Sequence, residues 1–224
     1  MFEEHESVTG TAEPVRVLIV DDHEVLASSL AMVLDSEPDL VTAGVATTLE
    51  QARELVVTTE PDVVLLDHRM PDGDGVAAIP ALRAARPAIG VVVLTASAAD
   101  HVLLSAIENG ASGFLSKTRS LEEVTKAVRA AAAGESVISP EMLARLLPRF
   151  GRGKAHTADD LTEREREVLG LVAEGLSNAA IAQRLVVSVH TVRNHIASLS
   201  AKLGAHSKLE ALSIALRQGL LPDL

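Results

Sequence analysis

Asp21 and Asp22, Asp67, Thr95 and Lys117 each close a short stretch of mainly apolar residues: Val17–Val20, Val63–Leu66, Val91–Leu94 and Gly113–Ser116. The stretch ending in Asp67 is the most telling. Four consecutive aliphatic residues, set between Pro61-Asp62 and a cluster of Pro71, Gly73 and Gly75, predict a strand buried on both faces. In an open parallel sheet, residues just past the carboxyl ends of the strands face a crevice rather than the core. Carboxylates, a hydroxyl and an ammonium would therefore meet in one pocket. Carboxylates held that close repel unless a hard cation lies between them, and magnesium, which takes oxygen ligands and keeps several waters, meets that need. The ammonium and hydroxyl can hold phosphoryl oxygens while an aspartate oxygen attacks in line, so the set suits phosphoryl transfer. On its position alone, Asp67 could also do no more than begin a turn.

Such a pocket needs a sheet to assemble it, and residues 15–134 alternate strand and helix patterns accordingly. Strands are expected at 15–20, 40–46, 63–67, 89–94 and 113–117. The first is followed by a helix with Leu26, Leu30, Val33 and Leu34 on one face, and later helices are expected near 49–57, 76–85, 99–109 and 121–133. Five strand–helix pairs make an α/β domain: a five-stranded doubly wound parallel sheet with helices on both faces. Residues 1–14 are expected to be a disordered leader.

The order of the motifs carries a family resemblance. Asp21-Asp22, then Leu66-Asp67 with Met70-Pro71 and Gly75, then Thr95-Ala96, then Phe114 with Lys117 resemble the receiver domain of a two-component response regulator, over residues 15–134. The resemblance implies a flavodoxin-like fold in which Asp67 accepts a phosphoryl group. It further implies that Mg2+ is bound by Asp22, Asp67 and the backbone carbonyl of Arg69, with Asp21 acting through water. Lys117 would pair with the phosphoryl group, Thr95 would move to bond it, and Phe114 would be the aromatic that rotates with the switch. Plainer readings stay open at this point: Phe114 as core only, and Thr95 as the cap of the following helix. Haloacid-dehalogenase-type phosphatases also use an aspartate at a strand end, but they want a second acid two residues on, where this chain has Arg69. An enzyme is therefore not expected. His68 is expected to point away from the pocket or to cover its rim.

Residues 135–160 are expected to be a linker, with a short amphipathic segment from Ser139-Pro140 to Pro148 and a flexible basic stretch after it, so that two domains are tethered rather than fused. Residues 161–224 then carry four helix patterns. Thr162 and Glu165 form a capping box, Ser177 and Ser188 cap the next two helices, and residues 208–218 make the last. The third helix has Val192, Ile196, Leu199 and Leu203 inward and His190, Arg193, Asn194, Ser198 and Lys202 outward, with no acid from 189 to 203. A short helix pair with such a face suits a helix lying in a DNA major groove. The motifs Leu161-Thr162, Arg164-Glu165, Glu167-Val168-Leu169, Gly175-Leu176-Ser177-Asn178, Thr191-Val192 and Lys202-Leu203-Gly204 resemble a LuxR-type helix-turn-helix, and with the receiver they resemble the NarL/FixJ family. Ala180 departs from it, standing where that family usually has Glu. Arg193 and Asn194 are expected to read bases and Ala197 to touch a thymine methyl, while Thr191 and Lys202 are placed for phosphate. A phosphate contact is the plainer role for Arg193.

The chain has no cysteine, so its function needs no disulfide. Met1–Glu6 offers neither a basic start nor an apolar core, and no apolar run is long enough to cross a bilayer, so a cytoplasmic protein without a membrane partner is expected. Acidity is uneven: residues 1–150 hold 23 acids and 11 bases, and residues 151–224 hold 8 and 9. A helical domain with a net charge near +1 has modest nonspecific DNA affinity, which makes dimerisation useful. The whole is read as a bacterial transcriptional regulator binding double-stranded DNA, phosphorylated by a sensor histidine kinase and working as a homodimer. The competing reading is a signalling interaction protein whose receiver docks partners while the helical domain binds little DNA.

Overall fold

The computed structural model describes residues 13–96, 99–149 and 161–221. Residues 1–12 of the expected leader and 150–160 of the expected linker lie outside the described residues. The strands are β1 (Val15–Val20), β2 (Leu40–Ala46), β3 (Val63–Asp67), β4 (Gly90–Thr95) and β5 (Gly113–Ser116). They form one parallel sheet in the order β2-β1-β3-β4-β5. Helices α1 (Glu24–Ser36), α2 (Leu49–Thr59), α3 (Gly75–Ala85), α4 (Asp100–Glu108) and α5 (Leu121–Ala132) follow the strands in turn.

The aliphatic runs are explained by burial on both faces. Val17, Ile19, Val63, Leu65, Val92 and Leu94 pack with Leu30 and Leu34 of α1 and Val124 and Val128 of α5. Their neighbours Leu18, Val20, Val64, Leu66, Val91 and Val93 pack on the other face with Ala52 and Val56 of α2 and Ile79 and Leu82 of α3. Strand order reverses between β1 and β3, which is where an open α/β sheet leaves its crevice. Asp21 and Asp67 sit at those two strand ends.

A small hairpin after β3, pairing Arg69–Met70 with Gly73–Asp74, has no counterpart in the sequence pattern. Its closure explains Gly75: the Gly75 N–H donates to the His68 carbonyl at 2.9 Å, and a Cβ there would lie 2.0 Å from the Asp67 carbonyl oxygen. Asp74 caps α3 by accepting from the Val76 N–H at 2.8 Å. Asp72 accepts from the N–H groups of Leu49 and Glu50, which pins the hairpin to the start of α2 and holds the Asp72 carboxyl below its ordinary range.

Beyond α5 the chain does not leave the sheet. Val137 donates to the Ser112 carbonyl and accepts from the Phe114 N–H, each at 2.9 Å, and lies parallel to Gly113. Ser139 caps α6 (Pro140–Leu146), whose Leu143 and Leu146 are buried. The amphipathic segment expected after Ser139 thus forms α6, and Val137, Leu143 and Leu146 pack because they have an apolar surface to cover.

Helices α7 (Glu163–Ala173), α8 (Asn178–Leu185), α9 (Val189–Leu203) and α10 (Lys208–Arg217) complete the chain. The Thr162/Glu165 box forms as expected, and Ser177, Ser188 and Ser207 each accept an N–H from three residues on. Val186 ends α8 in the left-handed region at φ 55°, with its side chain exposed. One apolar cluster runs from the α4 side of the sheet through α6 into α7–α10, so the two domains are packed together rather than merely tethered. Among the described residues no helix is long and apolar enough to cross a membrane.

Candidate functional site

The expected pocket residues meet at the carboxyl edge of the sheet. Lys117, just past β5, reaches across it: its Nζ donates to Asp21 Oδ2 at 2.7 Å and to Asp67 Oδ2 at 2.5 Å. Burial alone would lower the Lys117 ammonium pKa, but hydrogen bonds and charge from Asp21 and Asp67 outweigh it and hold the pKa above that of an ordinary lysine. Asp67 is buried, with its other oxygen accepting from the Arg69 N–H at 3.3 Å. The Asp22 side chain is more than one third exposed and Asp21 fully buried, so the acids grade from core to solvent.

One participant was missed. His23 Nδ1 lies 3.0 Å from Asp21 Oδ1, 2.9 Å from Asp22 Oδ1 and 4.0 Å from Asp67 Oδ2, which places the imidazole within the acid cluster. Its adjacency to Asp21-Asp22 was the available signal. Ligand atoms of Asp21, Asp22, His23 and Asp67 all lie within 4.8 Å of one another. Three carboxylates at this spacing fit a hard divalent cation. The His23 ring itself is mostly exposed. The pocket, about 510 Å³, extends from His23 past Asp67 and Thr95 to His101.

Thr95 ends β4 and is buried, and its carbonyl accepts from the Lys117 N–H at 2.9 Å. It does not cap the following helix, which begins at Asp100 with Ala99 in the cap position. Phe114 is buried on β5, and a second cleft of about 380 Å³ lies beside Thr95 and Phe114 and is lined on its other side by Ile138 and Met142 of the segment after α5. His68 and Arg69 line the rim of the acid pocket.

On α9, Val192, Ile196 and Leu199 face inward as expected, and Arg193, Asn194 and Ala197 are exposed. Thr191 is half-buried, sharing a 2.8 Å hydroxyl contact with Ser188. The expected outer face is narrower than its sequence, because Lys202 and Ser198 turn to Glu165 of α7, at 2.7 and 2.6 Å. Lys202 remains exposed as expected, but the buried Glu165 needs partners, and these are the donors in reach. Arg193 and Ala197 line a cleft of about 400 Å³ whose opposite wall is Arg83, Pro87 and Gly90 of the α/β domain. The domains are further joined by Ser207 Oγ donating to the Ala111 carbonyl at 2.9 Å and by Arg217 paired with Glu108 at 2.9 Å. Arg83, buried beneath this contact, has its pKa lowered to about 10 by desolvation, with Glu210 of α10 opposing the shift.

Two family models match the chain: "Response regulator receiver domain" over residues 17–129 and "Bacterial regulatory proteins, luxR family" over residues 159–215. The chain belongs to the response regulators. This regulator is 37% identical over 204 residues to the DNA-binding transcriptional activator DevR/DosR of Mycobacterium tuberculosis, covering 90% of this chain and 94% of that one. It is 35% identical to the nitrate/nitrite response regulator protein NarL of Escherichia coli K12, covering 89% and 94%. Among solved structures it is similar to the response regulator ChrA of a heme-sensing two-component system, with 32% identity, a TM-score of 0.50, and coverage of 94% and 100%. The regulator thus joins a receiver to a luxR-type helix-turn-helix, as the motif order implied.

Proposed function

We propose that this response regulator is a cytoplasmic, phosphorylation-dependent DNA-binding transcriptional regulator. Its receiver takes a phosphoryl group from a sensor histidine kinase onto Asp67, and its helical domain is thereby released to dimerise on double-stranded DNA. The observation that carries the reading is the Lys117 bridge between Asp21 and Asp67 at the sheet's crevice. In the transfer, an Asp67 carboxylate oxygen bonds to phosphorus as the phosphorus–nitrogen bond to the kinase imidazole breaks, and that bond's electron pair returns to the ring. Lys117 leaves Asp67 Oδ2 to pair with the new phosphoryl oxygens, and the Thr95 hydroxyl moves to bond another. Mg2+ held by Asp21, Asp22, Asp67 and the Arg69 carbonyl would supply positive charge against the developing phosphoryl charge.

The DNA-reading residues in this proposal are Arg193 and Asn194 for bases, Ala197 for a thymine methyl, and Thr191 for phosphate, with Lys202 available there only if it leaves Glu165. The cleft between α9 and the receiver supports an unphosphorylated form in which the receiver faces Arg193 and Ala197 of the recognition helix. Phosphorylation then shifts a docked–released equilibrium by its different affinity for the two forms. The test is Asp67→Asn incubated with a radiolabelled small acyl phosphate and magnesium. Label should be lost in the variant and present in the parent, and undiminished labelling of the variant would overturn the pocket assignment.

A further inference from the structure

Helices α5 and α7 both begin with reciprocal capping boxes, Ser120 with Glu123 and Thr162 with Glu165. Helix α8 does not. Ser177 accepts from the Ala180 N–H at 3.2 Å, but its third position is Ala180 and its first turn contains no acid. A carboxylate nevertheless sits at this helix start, and it comes from the receiver side. Glu135 Oε1 and Oε2 accept from the Asn178 N–H at 2.8 and 3.1 Å. The same Oε2 lies 3.3 Å from Lys208 Nζ, which also donates to the Leu176 carbonyl and to Asn178 Oδ1, each at 3.0 Å. Asn178 and Lys208 are both buried, and desolvation pushes the Lys208 ammonium pKa down while Glu135 opposes it. Among the described residues, Glu135 is the only acid paired with Lys208.

We propose that Glu135 is an interdomain cap: it supplies the acid that α8 lacks only while the two domains are docked, so that capping of the DNA-binding domain and closure of the regulator are one equilibrium. The inference rests on the docked and released forms proposed above and names the group that holds the docked one. Glu135 is moored on both sides of its own sequence. Its N–H donates to the Ala130 carbonyl at the end of α5, and two residues on Val137 is hydrogen-bonded to Ser112 and Phe114 of the β5 segment. That strand leads directly to Lys117, whose N–H is bonded to the Thr95 carbonyl. A rearrangement of Thr95 and Lys117 around a phosphoryl group therefore acts on the strand that positions Glu135. Release frees the Asn178 N–H and leaves Lys208 without its acid, holding only the Leu176 carbonyl and Asn178 Oδ1, while Ser177 remains a cap on its own.

The chain has no native cysteine, so a dye pair at Val57→Cys on α2 and Ala201→Cys on α9, both exposed positions, reports docking by energy transfer in the full-length protein. Glu135→Gln keeps the shape and removes the charge. Ala180→Glu places a second carboxylate at the start of α8, where a capping box would hold it on the Ser177 N–H, and it repels Glu135 from the neighbouring Asn178 N–H. A charge-assisted hydrogen bond of this kind is worth roughly a tenfold change in an equilibrium constant, so each variant should raise the released-to-docked ratio of unphosphorylated protein by about that factor. Ala180→Glu should do so without lowering the unfolding temperature. If Glu135→Gln lowers the unfolding temperature but leaves energy transfer unchanged, and Ala180→Glu leaves it unchanged too, the carboxylate is structural and the inference fails. The parent protein treated with acyl phosphate and magnesium separates the two ideas. A change there without one in the variants overturns the cap and keeps the switch. A change in the variants without one there keeps the cap and overturns phosphorylation as its trigger.

Discussion

Lys117→Met tests the electrostatics of the pocket most directly. The Lys117 side chain is 15% exposed, against 0% and 6% for the Asp21 and Asp67 side chains it bridges, so water cannot replace it freely. Carboxylate oxygens of Asp21 and Asp67, which lie within 4.8 Å of one another, repel by roughly 3 kcal/mol at an effective dielectric of ~20. Breaking a buried ion pair by removing one partner typically costs about 3–5 kcal/mol, because the remaining charge is uncompensated. Urea unfolding in EDTA, followed by circular dichroism, should therefore show a loss near 4 kcal/mol, which is a midpoint shift of roughly 2 M. The same measurement in millimolar magnesium should recover a large part of the loss, since a cation shared by Asp21, Asp22 and Asp67 substitutes for the missing ammonium. Binding of magnesium should accordingly be tighter in the variant than in the parent. A loss below about 1 kcal/mol in EDTA, or one identical with and without magnesium, would show that Lys117 is not what balances these acids.

Three other outcomes are expected. Burial alone would raise the Glu165 carboxyl pKa, but hydrogen bonds from Lys202, Ser198 and Thr162 outweigh it and bring the pKa from 4.5 down to about 2. A depressed carboxyl pKa gives stability that is complete above the unfolded value and lost as pH falls. Thermal melts between pH 5 and pH 2.5 should show a loss in the parent that Glu165→Gln flattens, and parallel curves would count against it. Val186→Asn should raise stability by about 1 kcal/mol, since a β-branched residue in the left-handed region carries strain that Asn tolerates; an unchanged denaturation midpoint would show that the strain is absent. Arg193→Ala, compared on a selected operator and on scrambled duplex, should lose about 1–3 kcal/mol on the operator alone if Arg193 reads a base, and equal weakening on both would make it a phosphate contact.

What could be read from the sequence is what local patterns encode. Val63–Asp67 announces a doubly buried strand through four aliphatic residues and a following turn, and Thr162 with Glu165 announces a helix start within three residues. The hairpin at Arg69–Asp74 was not legible, because two-residue arms carry no periodicity. Contacts between distant residues were equally hidden. Nothing near Lys202 signals that Glu165 will claim it, and nothing near Glu135 points to Asn178, 43 residues on. The anchoring of the segment after α5 was hidden for a related reason: Val137 is fixed by backbone groups of Ser112 and Phe114, and main-chain hydrogen bonding leaves no mark on residue types.

That backbone pairing also decides where the receiver unit stops. A strand at the border of a sheet offers unsatisfied N–H and C=O groups as a template for other chains. Val137 covers part of the outer side of β5, and Gly113 permits the approach, since a Cβ there would lie 2.0 Å from the Val137 carbonyl oxygen. A receiver cut at the end of α5 would lose this cover and present bare borders at both β2 and β5, inviting self-association unrelated to phosphorylation. Cutting after Ile138 keeps the cover, so a dimer seen with the shorter piece and not with the longer one would be an artefact of truncation rather than the signalling state.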